Sequence, residues 1–191
     1  MPKNTMGIMG LMVVNAKVDI QKRNLTAYNH SATHLLFKVL RDELVSHFSQ
    51  QGSQVSYEML RFDFNHYETV TENQILDIES KVNEMIQNDY KTHTELLTVD
   101  EAVKKGAIAE FGEKYGDTVR VIDLKYTLDL CGGTHVKNIK DIQRFAIKNI
   151  YSIGSGIYRI EGLTNVGVDT IVEGLVGINQ EIGRASCRER V

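Results

Sequence analysis

The chain has 191 residues, of which 42% are hydrophobic and 25% charged, and its formal net charge is -3. This length supports one domain with a buried core, and the near-average composition argues against a disordered, collagen-like or coiled-coil chain. Because the chain lacks a basic excess, it does not look like a dedicated nucleic-acid binder, and any RNA contact must come from a local patch.

The first third of the chain shows a change from strand to helix patterning. Residues 8–20 are rich in Val and Ile around a glycine, which predicts one or two strands. From Leu25 to about Phe48, apolar residues recur every three or four positions, which predicts a long helix. Apolar and polar residues then alternate between Val55 and Phe64, which predicts two half-buried strands.

Helix-start and strand signals continue to residue 165. Capping boxes at residues 71–74 and 98–101 predict two helices, the second of which is short. A strand is expected near residues 119–124, and two more are expected at 145–151 and 157–161. Together these elements predict an α+β fold, in which an antiparallel sheet packs against a few helices.

The sequence carries no sign of a membrane-spanning or secreted protein. No apolar run approaches the roughly 18 residues of a membrane span, and the N-terminus lacks the apolar core of a secretory signal. The two cysteines, Cys131 and Cys187, are too few for a disulfide framework. We therefore expect a cytoplasmic protein.

Two short motifs contain residues that bind metals. His30 and His34 lie four residues apart on the long predicted helix, which places their Cβ atoms about 5–6 Å apart. Cys131 and His135 are separated by Gly-Gly-Thr, and the glycines let the backbone turn both side chains toward one point. Taken singly, the pairs could be a solvated helix face and a buried cysteine beside a turn. Together they supply the nitrogen and sulfur ligands of tetrahedral zinc.

The motifs His30-Ser-Ala-Thr-His34 and Cys131-Gly-Gly-Thr-His135 resemble the zinc signature of the alanyl-tRNA synthetase editing domain and its stand-alone trans-editing relatives. The resemblance covers roughly residues 13–170. The threonyl-tRNA synthetase editing domain shares the first histidine pair but normally has Arg and Pro near Gly133-Thr134, so it is a more distant match. Further stretches that are similar to the bacterial enzymes are residues 50–53, 60–66, 111–120 and 153–161.

The resemblance implies the threonyl/alanyl-tRNA synthetase editing-domain fold. Remnant strands of a small β-barrel are then expected in residues 1–24, and the zinc-binding editing domain in residues 25–165. Residues 166–182 would begin a C-terminal helix. Residues 183–191 are basic and aperiodic, which suggests a vector-derived tail, with a natural basic tail as the alternative. We therefore expect a fragment of a bacterial enzyme.

The activity that the resemblance implies is hydrolysis of serine or glycine from the acceptor end of tRNA(Ala), at a pocket containing one Zn²⁺. The parent enzyme would attach alanine to that tRNA using ATP. A pocket for alanine cannot exclude glycine and rejects serine poorly, so a second hydrolytic site has a physical reason to exist. The alternatives are a stand-alone trans-editing deacylase and a non-catalytic, zinc-stapled tRNA-binding module.

The resemblance also assigns roles to residues in the two motifs. The metal ligands are His30, His34, Cys131 and His135. Bound together they would close the zinc site, whereas three of them with a water would activate a nucleophile. Cys131 is therefore also expected to be catalytic. Thr33 and Thr134 could line the pocket or cap turns, and Asp129 could orient a ligand imidazole or be exposed.

Outside the motifs, Gln50 matches a pocket position, where its amide could contact the serine hydroxyl or the attacking water, although it could equally be a surface glutamine. Gly154 and Gly156 form a turn that could approach a ribose closely or be only a hairpin. Arg159 and Lys137 are expected to bind tRNA phosphates. Other basic residues near the second motif that could join this patch are Lys140, Arg144 and Lys148. We expect His66 to be structural and His47 and His93 to be solvated.

Overall fold

The computed structural model describes residues 16–44, 48–108 and 116–171. The helices in this part of the chain are α1 (Ile20–Glu43), α2 (Glu72–Ile86), α3 (Val99–Lys104) and a short 3₁₀ helix (Ile139–Ile142). The strands are β1 (Gln50–Val55), β2 (Leu60–Asn65), β3 (His93–Thr98), β4 (Thr118–Asp123), β5 (Leu128–Leu130), β6 (Phe145–Gly154) and β7 (Ile157–Thr164). Residues 166–171 are also helical.

The described strands form two antiparallel sheets. One has four strands in the order β1-β2-β7-β6, and the other has three in the order β3-β4-β5. Helix α1 contacts β1, β2 and β7 of the larger sheet as well as α2 and the 3₁₀ helix. The predicted α+β class, with an antiparallel sheet and packed helices, is therefore confirmed.

The main core lies between α1 and the larger sheet. Strand β2 directs its alternate residues Phe62 and Phe64 inward, and both are fully buried. Leu35 and Leu36 of α1 are buried in the same hydrophobic cluster. Burial of apolar area at this interface fixes α1 against the sheet, and with it the direction in which the remaining side chains of the helix point.

Helix α1 differs from its predicted bounds. It begins at Ile20 instead of Leu25 because Asp19 serves as its N-cap and accepts a hydrogen bond from the Lys22 amide. Residues 20–24, which we expected to be a remnant of the barrel, therefore form the start of this helix. Residues 16–19 have no regular secondary structure, and the predicted strands in residues 8–15 lie outside the described residues.

Several local predictions agree with the structure. Both capping boxes are present, with Thr71 and Gln74 at the start of α2 and Thr98 and Glu101 at the start of α3. The sequence did not predict β3, β5 or the 3₁₀ helix. In β3, five of the six residues are exposed, so that strand has no apolar alternation to read.

Other predictions fall outside the described part of the chain. They concern the first half of the 111–120 stretch, the predicted C-terminal helix beyond residue 171, the 183–191 tail and His47. Among the helices that the structure does describe, none is both long enough and apolar enough to cross a membrane.

Replacing Thr71 with alanine is expected to lower the free energy of unfolding by about 0.5–2 kcal/mol, because the Gln74 amide of α2 would lose its capping partner. Urea unfolding followed by circular dichroism measures the change. The matched control is Ser80→Ala, an exposed hydroxyl further along the same helix. Equal effects of the two substitutions would contradict the prediction.

Candidate metal centre

Helix α1 and the loop after β5 bring the four predicted ligands together. His30 and His34 lie one turn apart on α1, while Cys131 and His135 belong to the loop that follows β5. The ligand atoms of the four side chains all lie within 4.8 Å of one another. A single ion could therefore contact all four, as the spacing in the sequence predicted.

Each imidazole also has its Nδ1 atom within hydrogen-bonding distance of a group on the far side of the ring. These contacts are His30 to the Thr134 carbonyl at 3.2 Å, His34 to the Asp129 carboxylate at 3.1 Å, and His135 to the Ser31 hydroxyl at 3.2 Å. When Nδ1 carries the proton and donates it outward, the Nε2 lone pair is free to bind a metal. The arrangement thus orients all three rings for ligation.

The chemistry of the cluster fits zinc. His135 Nε2 is buried and has no hydrogen-bond partner, although buried polar atoms rarely lack one. Cys131 Sγ lies 3.5 Å from His30 Nε2. This separation suits two neighbouring ligands of one tetrahedral ion. A tetrahedral cation would give His135 Nε2 its missing partner and take three nitrogens and one sulfur, a common zinc ligand set.

The same contacts shift the protonation of two ligands. Burial acts to raise the pKa of the Cys131 thiol, but the adjacent imidazoles of His135, His30 and His34 outweigh it and lower the pKa to about 3. Burial acts to lower the pKa of His34, but its contacts with Asp129 and Cys131 raise it to about 10. A metal would therefore meet a thiolate and would displace a proton from His34.

The loop that carries Cys131 contains two glycines, and the contacts of one of them exclude a side chain. A Cβ atom at Gly133 would lie 2.0 Å from Cε1 of His30, so only glycine leaves room for that ring. A Cβ at Gly132 would meet nothing within 4 Å. Arg120, in β4, donates from Nη1 to the carbonyls of Gly132 at 3.0 Å and Gly133 at 2.6 Å.

Sequence reasoning missed Ser31 and Arg120. Ser31 lies inside the first motif, but its hydroxyl contacts His135 and also accepts a hydrogen bond from the Val136 amide at 3.1 Å. Both partners are more than a hundred residues away, so nothing local indicates the contact. Asp129, weighed as an orienting group, is 4% exposed and accepts a hydrogen bond from Thr127 as well as contacting His34.

The two threonines of the motifs differ in their contacts. Thr33 is buried, and its hydroxyl donates to the Asn29 carbonyl at 2.8 Å within α1. Thr134 contributes its carbonyl to His30. Thr33 is therefore engaged in the helix, which corresponds to the structural alternative considered for it, and its role in a pocket stays a prediction.

Gln50 lies on a different element from the ligands. It is the first residue of β1, opposite Phe64 in the register, and it is half-buried. Its Nε2 donates to Ser53 Oγ at 3.4 Å. Its contact with a serine hydroxyl or an attacking water stays a prediction.

The predicted tRNA contacts are at the β6–β7 hairpin and after the second motif. Gly154 and Gly156 have positive φ angles of 101° and 72°, which glycine adopts without strain. Arg159 is paired with Asp63 through two hydrogen bonds of 2.8 Å, which raise the pKa of its guanidinium. Lys137 is exposed. The hairpin is thus present, but Arg159 is already engaged by a carboxylate.

The remaining basic and histidine residues are divided between paired and exposed positions. Arg144 pairs with Asp169, whereas Lys140 and Lys148 are exposed. His66 packs against Phe64 and Tyr158, in agreement with a structural role. His93 is exposed, as expected.

The described surface also has two open grooves, with volumes of about 270 and 250 Å³. The first lies between α1 and α2, and the second lies on the three-stranded sheet. Neither is lined by any of the four metal-binding residues. The candidate metal site is therefore identified by the convergence of its four ligand side chains and not by the volume of a groove.

Residues 119–161 match the family described as the threonyl and alanyl tRNA synthetase second additional domain. The chain is 47% identical over 161 residues to an alanine–tRNA ligase of Thermoanaerobacter sp. (strain X514), covering 84% of this chain and 18% of that relative. It is 48% identical over 153 residues to the alanine–tRNA ligase of Neorickettsia sennetsu, covering 80% and 18%.

A third relative, the alanine–tRNA ligase of Cupriavidus necator, is 44% identical over 174 residues, covering 91% of this chain and 20% of the relative. The chain therefore spans about a fifth of the length of the curated relatives that it matches. The matched family segment contains Cys131 and His135, and the structure joins them to the histidines of α1. Over most of its length the chain therefore corresponds to a segment of alanine–tRNA ligases, and residues 119–161 match their second additional domain.

Proposed function

We propose that this chain contains the editing site of an alanine–tRNA ligase, which hydrolyses the ester linking serine or glycine to tRNA(Ala). The observation that carries the proposal is the four-residue cluster, in which three oriented imidazoles and a thiolate converge. Two of its four members, Cys131 and His135, lie in residues 119–161, which match the second additional domain. The relatives are named alanine–tRNA ligases, so the whole protein would attach alanine to the same tRNA, and we propose that it uses ATP and acts in the cytoplasm.

The need for a second site follows from the size of the amino acids. A pocket shaped for alanine cannot exclude glycine, and it discriminates weakly against serine, which adds only a hydroxyl. A hydrolytic site that hydrogen-bonds the serine hydroxyl can spare alanine, because alanine would leave buried polar groups unpaired. The Gln50 amide is our proposed partner for that hydroxyl.

The residues of the cluster and its neighbours would have separate roles: some would bind the metal, and others would orient the ligands or fix the position of a proton. We propose that Cys131 Sγ and Nε2 of the three histidines would hold zinc, which when bound would supply positive charge to polarise the ester. Asp129 would keep the proton on Nδ1 of His34, and the Ser31 hydroxyl would orient the His135 ring. Both contacts keep Nε2 directed into the cluster.

The acceptor end of the tRNA needs positive charge near this cluster. Lys137 is exposed and lies two residues after His135, so we propose that it contacts a phosphate. Gly154 and Gly156 would let the sugar approach the backbone of the hairpin. Arg159 would have to exchange or share its Asp63 partner to bind a phosphate.

Deacylation of Ser-tRNA(Ala) by the zinc-loaded chain tests the function. We expect hydrolysis above the spontaneous rate, little hydrolysis of Ala-tRNA(Ala), and loss of the activity in Cys131→Ala, which removes one ligand. The measurement is the release of radiolabelled amino acid, with zinc content determined on the same samples. A zinc-loaded protein that bound Ser-tRNA(Ala) and left the ester intact would contradict the proposal.

The four-ligand count favours a second candidate, a zinc-stapled tRNA-binding module without activity, because four protein ligands close a zinc site. This candidate predicts tRNA affinity that falls steeply with salt, and no ester turnover. The deacylation experiment distinguishes the two candidates. A stand-alone deacylase would share the same site, and the gene sequence upstream of Met1 would separate it from a segment of the longer enzyme.

A further inference from the structure

Arg120 contacts the cysteine loop from two directions. Its side-chain Nη1 donates to the carbonyl oxygens of Gly132 and Gly133, at 3.0 and 2.6 Å. Its own backbone carbonyl accepts a hydrogen bond from the Cys131 amide at 3.0 Å. Three consecutive residues of the loop, 131–133, therefore form hydrogen bonds with Arg120. Arg120 lies in β4, whereas the strand that leads into the loop is β5.

These contacts determine where the neighbouring N–H groups point. In a planar trans peptide, the C=O and N–H bonds point in opposite directions. With the Gly132 carbonyl turned toward Arg120, the amide of Gly133 points the other way, and it donates to Cys131 Sγ at 3.4 Å. The orientation of one peptide plane thus links the guanidinium to the sulfur.

The hydrogen bond from Arg120 to the Gly133 carbonyl also affects the position of His30. Gly133 packs so closely on this imidazole that a Cβ atom would overlap its Cε1 atom. The next carbonyl, that of Thr134, accepts from His30 Nδ1. A shift of the loop away from Arg120 would therefore displace the Gly133 amide from Cys131 Sγ and the Thr134 carbonyl from His30 Nδ1.

The chemistry of arginine suits this task. Its planar group presents several N–H donors in a fixed geometry and stays protonated at all working pH values. Among the described residues, Arg120 forms no ion pair, and its side chain donates to the carbonyl oxygens of Gly132 and Gly133.

We propose that Arg120 is a positioning residue of the metal centre, which aims the Gly133 amide at Cys131 Sγ and holds the loop against His30. The inference rests on the metal site of the proposed function. It does not require that the site hydrolyse an ester. Groups that orient ligands in this way typically contribute about 10- to 100-fold to metal affinity.

The test compares Arg120→Met and Arg120→Lys with the wild type. Methionine keeps the apolar stem and removes the donors, whereas lysine keeps the charge on a side chain that is one bond shorter. The control is Arg41→Met, an exposed arginine in the last turn of α1. Zinc affinity is measured by competition with a chromophoric chelator, and the metal–sulfur bond is followed by the absorption of the Co²⁺-substituted protein.

We expect zinc affinity to fall about 10- to 100-fold in Arg120→Met, less in Arg120→Lys, and not at all in Arg41→Met. The thiolate-to-cobalt absorption should shift in Arg120→Met. A purely structural role would lower the unfolding midpoint equally with and without zinc, whereas a positioning role lowers chiefly the midpoint of the zinc-bound protein.

Wild-type zinc affinity and an unchanged cobalt spectrum in Arg120→Met would overturn the assignment. If Arg120→Met did not fold, wild-type affinity in Arg120→Lys would overturn it instead. A wild-type protein that bound no zinc would remove the metal site, and this inference with it. Zinc binding without deacylation would contradict only the proposed editing activity.

Discussion

Zinc affinity is expected to fall at least about a hundredfold when Gly133 is replaced by alanine, because the metal site would lose a correctly placed ligand. The new Cβ atom would lie 2.0 Å from Cε1 and 2.5 Å from Nδ1 of His30. The imidazole is a side chain and can rotate away, but rotation breaks its hydrogen bond to the Thr134 carbonyl and withdraws Nε2 from the cluster. The fold can survive this substitution, whereas the metal geometry cannot.

The neighbouring glycine provides a matched control for this prediction. A Cβ atom at Gly132 would meet no atom within 4 Å, so Gly132→Ala should bind zinc nearly as well as the wild type. Both variants change a glycine to alanine in the same loop, so they share the change in backbone freedom. Zinc competition measures the two affinities. Equal losses in both variants would show that loop flexibility, and not the contact with His30, is decisive.

Zinc is expected to stabilise the folded chain by about 4 kcal/mol when its free concentration is roughly 1,000 times Kd. Zinc would bind the folded chain in preference to the unfolded chain, because only the fold brings the four ligands together. His30 and His34 lie on α1, and Cys131 and His135 lie on the loop after β5. An ion held by all four would cross-link the first described helix to a distant part of the chain. Denaturant unfolding at fixed free zinc, and again with excess chelator, measures the difference.

The double variant His30→Ala/His34→Ala controls for effects of the chelator that do not involve the site. It removes both ligands of α1 and should show the same unfolding midpoint with and without zinc. The wild type should lose stability on chelation. Equal midpoints for the wild type in the two conditions would mean that the cluster does not bind zinc in the folded state.

The local elements were predictable where the sequence contains a strong short-range signal. The capping boxes of α2 and α3, the alternation of β2 and the hairpin of β6 and β7 depend on residues within a few positions of one another. The start of α1 was misplaced because Asp19 caps the helix before its apolar stripe begins. Strand β3 was missed because almost all of its side chains are exposed and follow no period.

The sequence by itself determined the class of the fold and the four side chains of the cluster, because two motifs of unusual composition supply ligand types that zinc prefers. The convergence of those side chains depends on the tertiary structure. So do the contact of Ser31 with His135, the hold of Arg120 on the loop, and the pairing of Arg159 with Asp63. These contacts join residues that are distant in the chain, and their distances are set by the packing of α1 and the strands.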